Sequence, residues 1–223
     1  TGRVNNMKIA TNSVNGTLLM PGEEFSYNKA IGQTTPENGY QQAGAYVAGE
    51  VVQEYGGGVC NISTILYRAA MRANLKSSLR YNHSMMVSYA EPSLDATVYE
   101  GEIDYRFVNT YDFPIYIEGY MTSNTIVFNI YGNKESFGNN TYELVNEVIE
   151  KLDYTTEYVN DNTLAEGSRV TTVNGMAGYR SKAYLVTYSN GVEVSREFIS
   201  SDYYAPMNTV VKVGTKKATT TEN

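Results

Sequence analysis

The chain has 223 residues and a formal charge of −7, from 17 basic and 24 acidic side chains with no basic stripe, which argues against nucleic acid as a partner. No apolar run approaches the roughly 20 residues needed to cross a bilayer, and no signal-peptide h-region is present. One cysteine excludes an internal disulfide framework, while 21 Tyr, 19 Gly and no Trp point to strands separated by many turns, in one or two domains.

Arg3 to Thr11 reads as a short helix, followed by the turn signal Asn15-Gly16. Leu18 to Met20, Pro21-Gly22 and Phe25 to Asn28 read as a strand, a turn and a second extended piece. Residues 32–44 form a polar, glycine-punctuated loop, and Val47 to Tyr55 leads into Gly56-Gly57-Gly58. Behind Cys60, the apolar residues Ile62, Ile65, Leu66, Ala69, Ala70 and Ala73 recur at three- and four-residue spacing, the stripe of an amphipathic helix that Asn61 or Ser63 would cap. Four period-two segments follow, Asp95 to Tyr99, Asp104 to Asn109, Pro114 to Tyr120 and Thr125 to Tyr131, read as an antiparallel set. The remainder has strands and turns but no helix, with a hairpin at Asn190-Gly191 between two alternating runs. These patterns predict an α+β N-terminal domain over 1–133, with a helix packed on an antiparallel sheet. A linker over 134–149, a small all-β domain over 150–217 and a disordered tail over 218–223 complete the chain. The start at Thr1-Gly2-Arg3, without an initiator Met, reads as the beginning of an excised piece whose targeting or membrane-attaching segment lies upstream.

The chemistry concentrates at Cys60, the only cysteine, and His83, the only histidine. A thiol at a helix start feels the positive end of the dipole, which favours thiolate. Glycines before it permit close backbone approach, and the N–H groups of Gly57, Gly58 and Cys60 are candidate oxyanion donors. A helix to Leu75 and a short return would bring His83 back beside Cys60, so the spacing favours a Cys-His dyad over a buried structural cysteine and a packed histidine. One Cys and one His fall short of the ligands zinc needs, so no metal or cofactor is expected. A dyad histidine needs an orienting partner, and Asp95 and Asp104 are the candidates. If Ser84 to Tyr89 pairs with Asp95 to Tyr99 as a hairpin, Asp95 lies about six residues from the level of His83, roughly 20 Å, which favours Asp104.

Residues from about Arg3 to Gly132 resemble the VanW domain family of bacterial cell-envelope proteins. The resemblance rests on Pro21-Gly22-Glu23, Phe25-Ser26-Tyr27-Asn28, Gly39-Tyr40, Gly56-Gly57-Gly58-Val59-Cys60, Ser63-Thr64, Leu66-Tyr67, Arg80, His83-Ser84, Asp95-Ala96-Thr97-Val98, Asp104 and Asn109. Asn61 departs from the Gln more common there. Residues from about Glu150 to Lys216 resemble a G5 domain, through Gly167, Gly175, Gly178, Gly191 and Val213-Gly214-Thr215.

Together these resemblances imply the wall or surface of a Gram-positive bacterium, glycopeptide resistance by association, and peptidoglycan stem peptides and glycan as partners. They also imply L,D-transpeptidation through a Cys60 thioester with His83 as base; Asn61, Ser63 and Arg80 are read as supporting groups, Arg80 either on a stem-peptide carboxylate or simply at the surface. A peptidase or amidase on the same substrate, and a non-catalytic wall-binding or resistance accessory module, are the alternatives. The order Cys, His, Asp is also similar to papain-like and transglutaminase-like thiol enzymes.

Overall fold

The computed structural model describes residues 1–47, 50–123 and 125–217. Its elements begin with α1 (Gly2–Val14), β1 (Thr17–Leu19), β2 (Glu24–Ser26), α2 (Tyr27–Ile31), β3 (Gln42–Val47) and β4 (Glu50–Tyr55). Helix α3 (Val59–Arg72) follows, then β5 (Ser77–Leu79), β6 (Arg106–Val108), β7 (Ile115–Met121) and β8 (Ile126–Tyr131). From there on the described elements are strands and one short 3-10 turn: β9 (Asn140–Leu152), β10 (Thr156–Ala165), β11 (Arg169–Val173), β12 (Gly178–Ser189), β13 (Val192–Tyr204) and β14 (Thr209–Lys216). None of the described helices is long and apolar enough to cross a membrane. The call of a disordered tail at 218–223 lies outside the described residues.

Helix α3 organises the N-terminal part. Ile62, Leu66, Tyr67, Ala70 and Met71 are fully buried on one face, against α1, Tyr27, Phe107, Ile115 and Ile117. Each large apolar side chain so buried contributes on the order of 1.5–3 kcal/mol, so packing rather than propensity holds this helix. Helix α1 buries Asn6 along with Ala10, Thr11 and Val14. The amide of Asn6 donates to Gln41 O at 2.8 Å and Gly57 O at 3.1 Å, and accepts from Gln41 N at 2.8 Å. That closed set of bonds allows a polar side chain in the core and fixes α1 to the glycine run.

The expected antiparallel set does not form as one sheet. Strand β6 pairs with β2 and β5, the β7–β8 hairpin pairs with β1, and β3–β4 stands as a separate hairpin. Residues 95–99 make only the isolated bridges Tyr81–Thr97 and Tyr99–Ile103. The cause is local: Ser63 Oγ donates to Ala96 O at 2.6 Å and Ala96 N donates to Thr64 Oγ1 at 3.1 Å. Side chains of α3 thereby occupy backbone groups that a sheet ladder would have used. A single sheet beneath the helix, and with it a papain- or transglutaminase-like arrangement, is not confirmed.

In the C-terminal part, β12 is flanked by β9 and β13, both antiparallel, and β14 pairs parallel with β10 and antiparallel with β11. Asn190 and Gly191 both carry positive φ, 50° and 81°, between β12 and β13. That is the two-residue turn the Asn-Gly pair predicts. Residues 134–149, expected as a linker, instead hold the 3-10 turn Lys134–Phe137 and most of β9. Tyr142 and Leu144 of β9 pack against the N-terminal core, which explains why a polar stretch there does not behave as a spacer.

Candidate functional site

Cys60 is the second residue of α3 and is partly buried. Gly58 caps the helix at φ 112° with no side-chain cap bond, so Asn61 and Ser63 lie inside the first turn and do not cap it. The Cys60 sulfur lies 3.3 Å from Val98 O, to which it donates when protonated, and 3.7 Å from Thr97 Oγ1. Tyr27 approaches the same turn, its hydroxyl donating to Val59 O at 2.9 Å.

His83 and Cys60 lie near enough for each to shift the other's titration. His83 Nδ1 lies 2.6 Å from Asp95 Oδ2, so Nδ1 carries the proton and Nε2 is left to face Tyr89 Oη at 3.1 Å. Burial opposes ionisation of Cys60, but the hydrogen bond and charge of His83 outweigh it and lower the thiol below its ordinary value. Burial likewise opposes charge on His83, yet the bonds to Asp95 and then Cys60 raise its pKa to about 9. Both shifts favour a thiolate–imidazolium pair.

Asp95 is the partner of His83, which corrects the expectation of Asp104. The hairpin assumed for residues 84–99 is absent, and the Tyr81–Thr97 bridge runs antiparallel, so His83 and Asp95 fall opposite each other. Asp95 Oδ2 accepts the His83 backbone N–H at 2.8 Å as well as the ring, and Oδ1 accepts from Arg80 Nη2 at 3.1 Å and Tyr204 Oη. Asp104 instead accepts from Ser26 Oγ at 2.7 Å, Asn28 N at 2.9 Å and Arg106 Nε at 2.7 Å, fixing the entry to α2.

The remaining expected residues divide. Gly57 N–H donates to Glu54 O at 3.3 Å and so is engaged, whereas among the described residues the N–H of Cys60 has no backbone acceptor behind it. Asn61 Nδ2 meets Met7 Sδ of α1 at 3.9 Å, and Ser63 is buried on Ala96 O. Arg80 is neither at the surface nor open to a stem-peptide carboxylate. Its side chain is 6% exposed, with Nε on Asp95 O at 2.7 Å and Nη1 on Asp202 Oδ2 at 2.6 Å. Thr97 and Val98 enter the sequence reading only as part of the VanW resemblance, and nothing local in the sequence points to Tyr89, Tyr204 or Asp202. The last two lie more than 100 residues from their partners, beyond any local pattern.

The family description "VanW like protein" matches residues 2–131, more than half of the chain. The chain belongs to the VanW-like family. A G5 domain matches residues 143–216, so β13 belongs to that module. Among curated relatives, the uncharacterized protein YoaR of Bacillus subtilis (strain 168) is 34% identical over 131 residues, covering 59% of this chain and 43% of its own. The vancomycin B-type resistance protein VanW of Enterococcus faecalis (strain ATCC 700802 / V583) is 27% identical over 139 residues, covering 60% of this chain and 50% of its own. The VanW-like chain thus spans half or less of these relatives. A solved structure titled IgA1 protease G5 domain is 31% identical, covers 37% of this chain and 99% of its own, and has a TM-score of 0.25.

Proposed function

We propose that this VanW-like protein is a cysteine acyltransferase of the bacterial cell envelope, acting on peptidoglycan stem peptides as an L,D-transpeptidase, with the G5 module holding wall glycan. The observation that carries this reading is the imidazole of His83 held by the Asp95 carboxylate and coupled to the Cys60 sulfur at a helix start. The relative named as a vancomycin B-type resistance protein supports the envelope setting.

In this reading the Cys60 thiolate attacks the carbonyl carbon of the third stem residue, with the Cys60 N–H receiving the developing oxyanion. Collapse breaks the amide to the terminal D-Ala, whose amine takes the proton from the His83 imidazolium, leaving a thioester. The side-chain amine of a second stem then attacks the thioester, gives its surplus proton to His83 and forms the 3-3 amide. Cys60 leaves as thiolate beside a protonated His83, which restores the starting pair. No oxidant, metal or nucleotide enters the balance.

Incubation with disaccharide-tetrapeptide, followed by mass analysis, tests this. The expected product is a cross-linked dimer lacking one D-Ala. Tripeptide alone would replace transfer with hydrolysis, the peptidase alternative. Unchanged substrate, from a folded sample whose Cys60 alkylates rapidly, would overturn both and leave the accessory-module reading.

A further inference from the structure

The buried carboxylate behind His83 is held by both modules. Its Oδ2 serves His83, and its Oδ1 serves Arg80 and Tyr204, the latter from the end of β13 in the G5 module. Tyr204 is fully buried, and its hydroxyl also accepts the Ser93 N–H at 2.7 Å, two residues before Asp95. Asp202, two residues earlier on the same strand face, takes Arg80 Nη1 at 2.6 Å, and Ser200 Oγ donates to Asp202 Oδ2 at 3.1 Å. Tyr203, between them, points the other way and is 46% exposed. Around this core the contact continues through Asn82 Nδ2 to Tyr203 O at 2.9 Å, Ala205 N to Ser84 O at 2.7 Å, and an exposed Lys76–Glu197 ion pair.

We propose that the G5 module completes the candidate active site, with Tyr204 and Asp202 as positioning residues that hold Asp95 and Arg80 in the arrangement His83 requires. This rests on the thiolate–imidazolium reading above. The argument is one of shared charge in a dry place. Arg80, at 6% exposure, lies between two carboxylates that are 1% and 7% exposed. With Asp202 present, the guanidinium has a partner of its own and Asp95 remains available to the imidazole. With Asp202 neutral, Arg80 leans on Asp95 alone, and His83 loses part of its counter-charge. Tyr204 acts on the same carboxylate from the other side, tying Oδ1 and the Ser93 backbone so that Oδ2 keeps its line to Nδ1. The groups that set the His83 charge are therefore Asp95, Cys60 on α3, Tyr89 in the following loop, Arg80, and Asp202 and Tyr204 on β13.

The chain's single histidine permits a direct test on the full protein. His83 is titrated by NMR, and Cys60 alkylation by iodoacetamide is followed against pH. Asp202→Asn and Tyr204→Phe are each expected to lower the His83 pKa by about half to one unit, and to slow alkylation at pH 6 about three- to tenfold. In an Asp95→Asn background neither should have a further effect, because both act through that carboxylate. Lys76→Ala, which breaks the exposed inter-module ion pair only, should leave both curves in place. Wild-type-like curves in both β13 variants, full additivity with Asp95→Asn, or an equal shift in Lys76→Ala would each overturn the proposal. Should Tyr204→Phe prove unfolded, Asp202→Asn decides alone. An ordinary His83 titration in the wild-type protein would instead sink the underlying thiolate reading, so the two failures are distinguishable.

Discussion

Asp95 Oδ2 accepts two hydrogen bonds from one residue, His83: the ring Nδ1–H at 2.6 Å and the backbone N–H at 2.8 Å. A carboxylate chelating both ends of a histidine fixes the ring's tautomer and its rotation together. Nε2 then has one direction to face.

Replacing Asp95 by Asn separates this role from that of Asp104. Asp95 is 1% exposed and lies between Arg80 and His83, so its neutralisation leaves the buried imidazolium without its carboxylate and Arg80 with Asp202 alone, at a cost of about 3–5 kcal/mol in unfolding free energy. Burial works against the Asp95 charge, but His83 and Arg80 hold its carboxyl below the ordinary range. That contribution is therefore present above the unfolded value of about 3.9 and is lost as pH falls through the lower folded value. Chemical denaturation from pH 7 to pH 3 should show the acid loss in wild type and a flatter profile in Asp95→Asn. Cys60 alkylation should slow about tenfold or more in Asp95→Asn, and stay unchanged in Asp104→Asn, which loosens only the α2 entry.

Reactivity of Cys60 should begin below the pH expected of a free thiol. The thiolate exists above the lowered Cys60 value and the imidazolium below about 9, so the ion pair occupies the interval between. Stopped-flow alkylation should rise through the lower boundary, run nearly flat, and rise again above about 9, where deprotonation of His83 releases a more nucleophilic thiolate. In His83→Ala a single rise near or above the free-thiol value of about 8.5 is expected, because burial then acts unopposed. A wild-type curve with only that single rise would contradict the pair.

Cys60→Ser reads the same coupling from the other side. His83 owes part of its raised value to Cys60 and part to Asp95. Removing the sulfur should lower the His83 pKa by roughly one unit from its raised value of about 9, leaving the Asp95 part in place, and an NMR titration reads the change. No change would mean that thiol and imidazole do not share a proton.

The sequence carries the candidate thiol legibly, because its signals are local: three glycines, one cysteine and an amphipathic repeat within about eighteen residues. His83 was legible as a singleton. Asp95 is not legible as the partner of His83, because the alternating pattern after His83 predicts a paired strand. In the folded chain Ser63 and Thr64 capture the Ala96 backbone and bend that segment back. Arg80 gave no sign of burial, since the carboxylate that neutralises half of its guanidinium, Asp202, lies 122 positions away. Long-range ion pairs leave no periodicity in either partner's neighbourhood. The β12–β13 hairpin was legible for the opposite reason, its turn being set by two adjacent residues of positive φ.

The glycine run supplies the last prediction, and its two inner members should behave differently. A Cβ on Gly57 would sit 2.5 Å from Ala43 O and 2.8 Å from its carbonyl carbon, backbone atoms of the β3–β4 hairpin that have little room to yield. Gly57→Ala should therefore displace the hairpin and lose about 1–3 kcal/mol of stability through overpacking. A Cβ on Gly58 would meet the Arg3 and Met7 side chains at 3.0 and 3.1 Å, tight but less so than at Gly57, and its φ of 112° is one that side chains rarely adopt. Gly58→Ala should cost about 1–3 kcal/mol through backbone strain, and the residue can relieve it only by turning the first peptide of α3. That rotation moves the Cys60 N–H and sulfur together relative to His83. Thermal unfolding should thus fall in both variants, while the low-pH arm of Cys60 alkylation should be lost preferentially in Gly58→Ala. Equal loss of the low-pH arm in both would show that the glycines serve hairpin packing alone, and that the helix start does not set the geometry of the thiol.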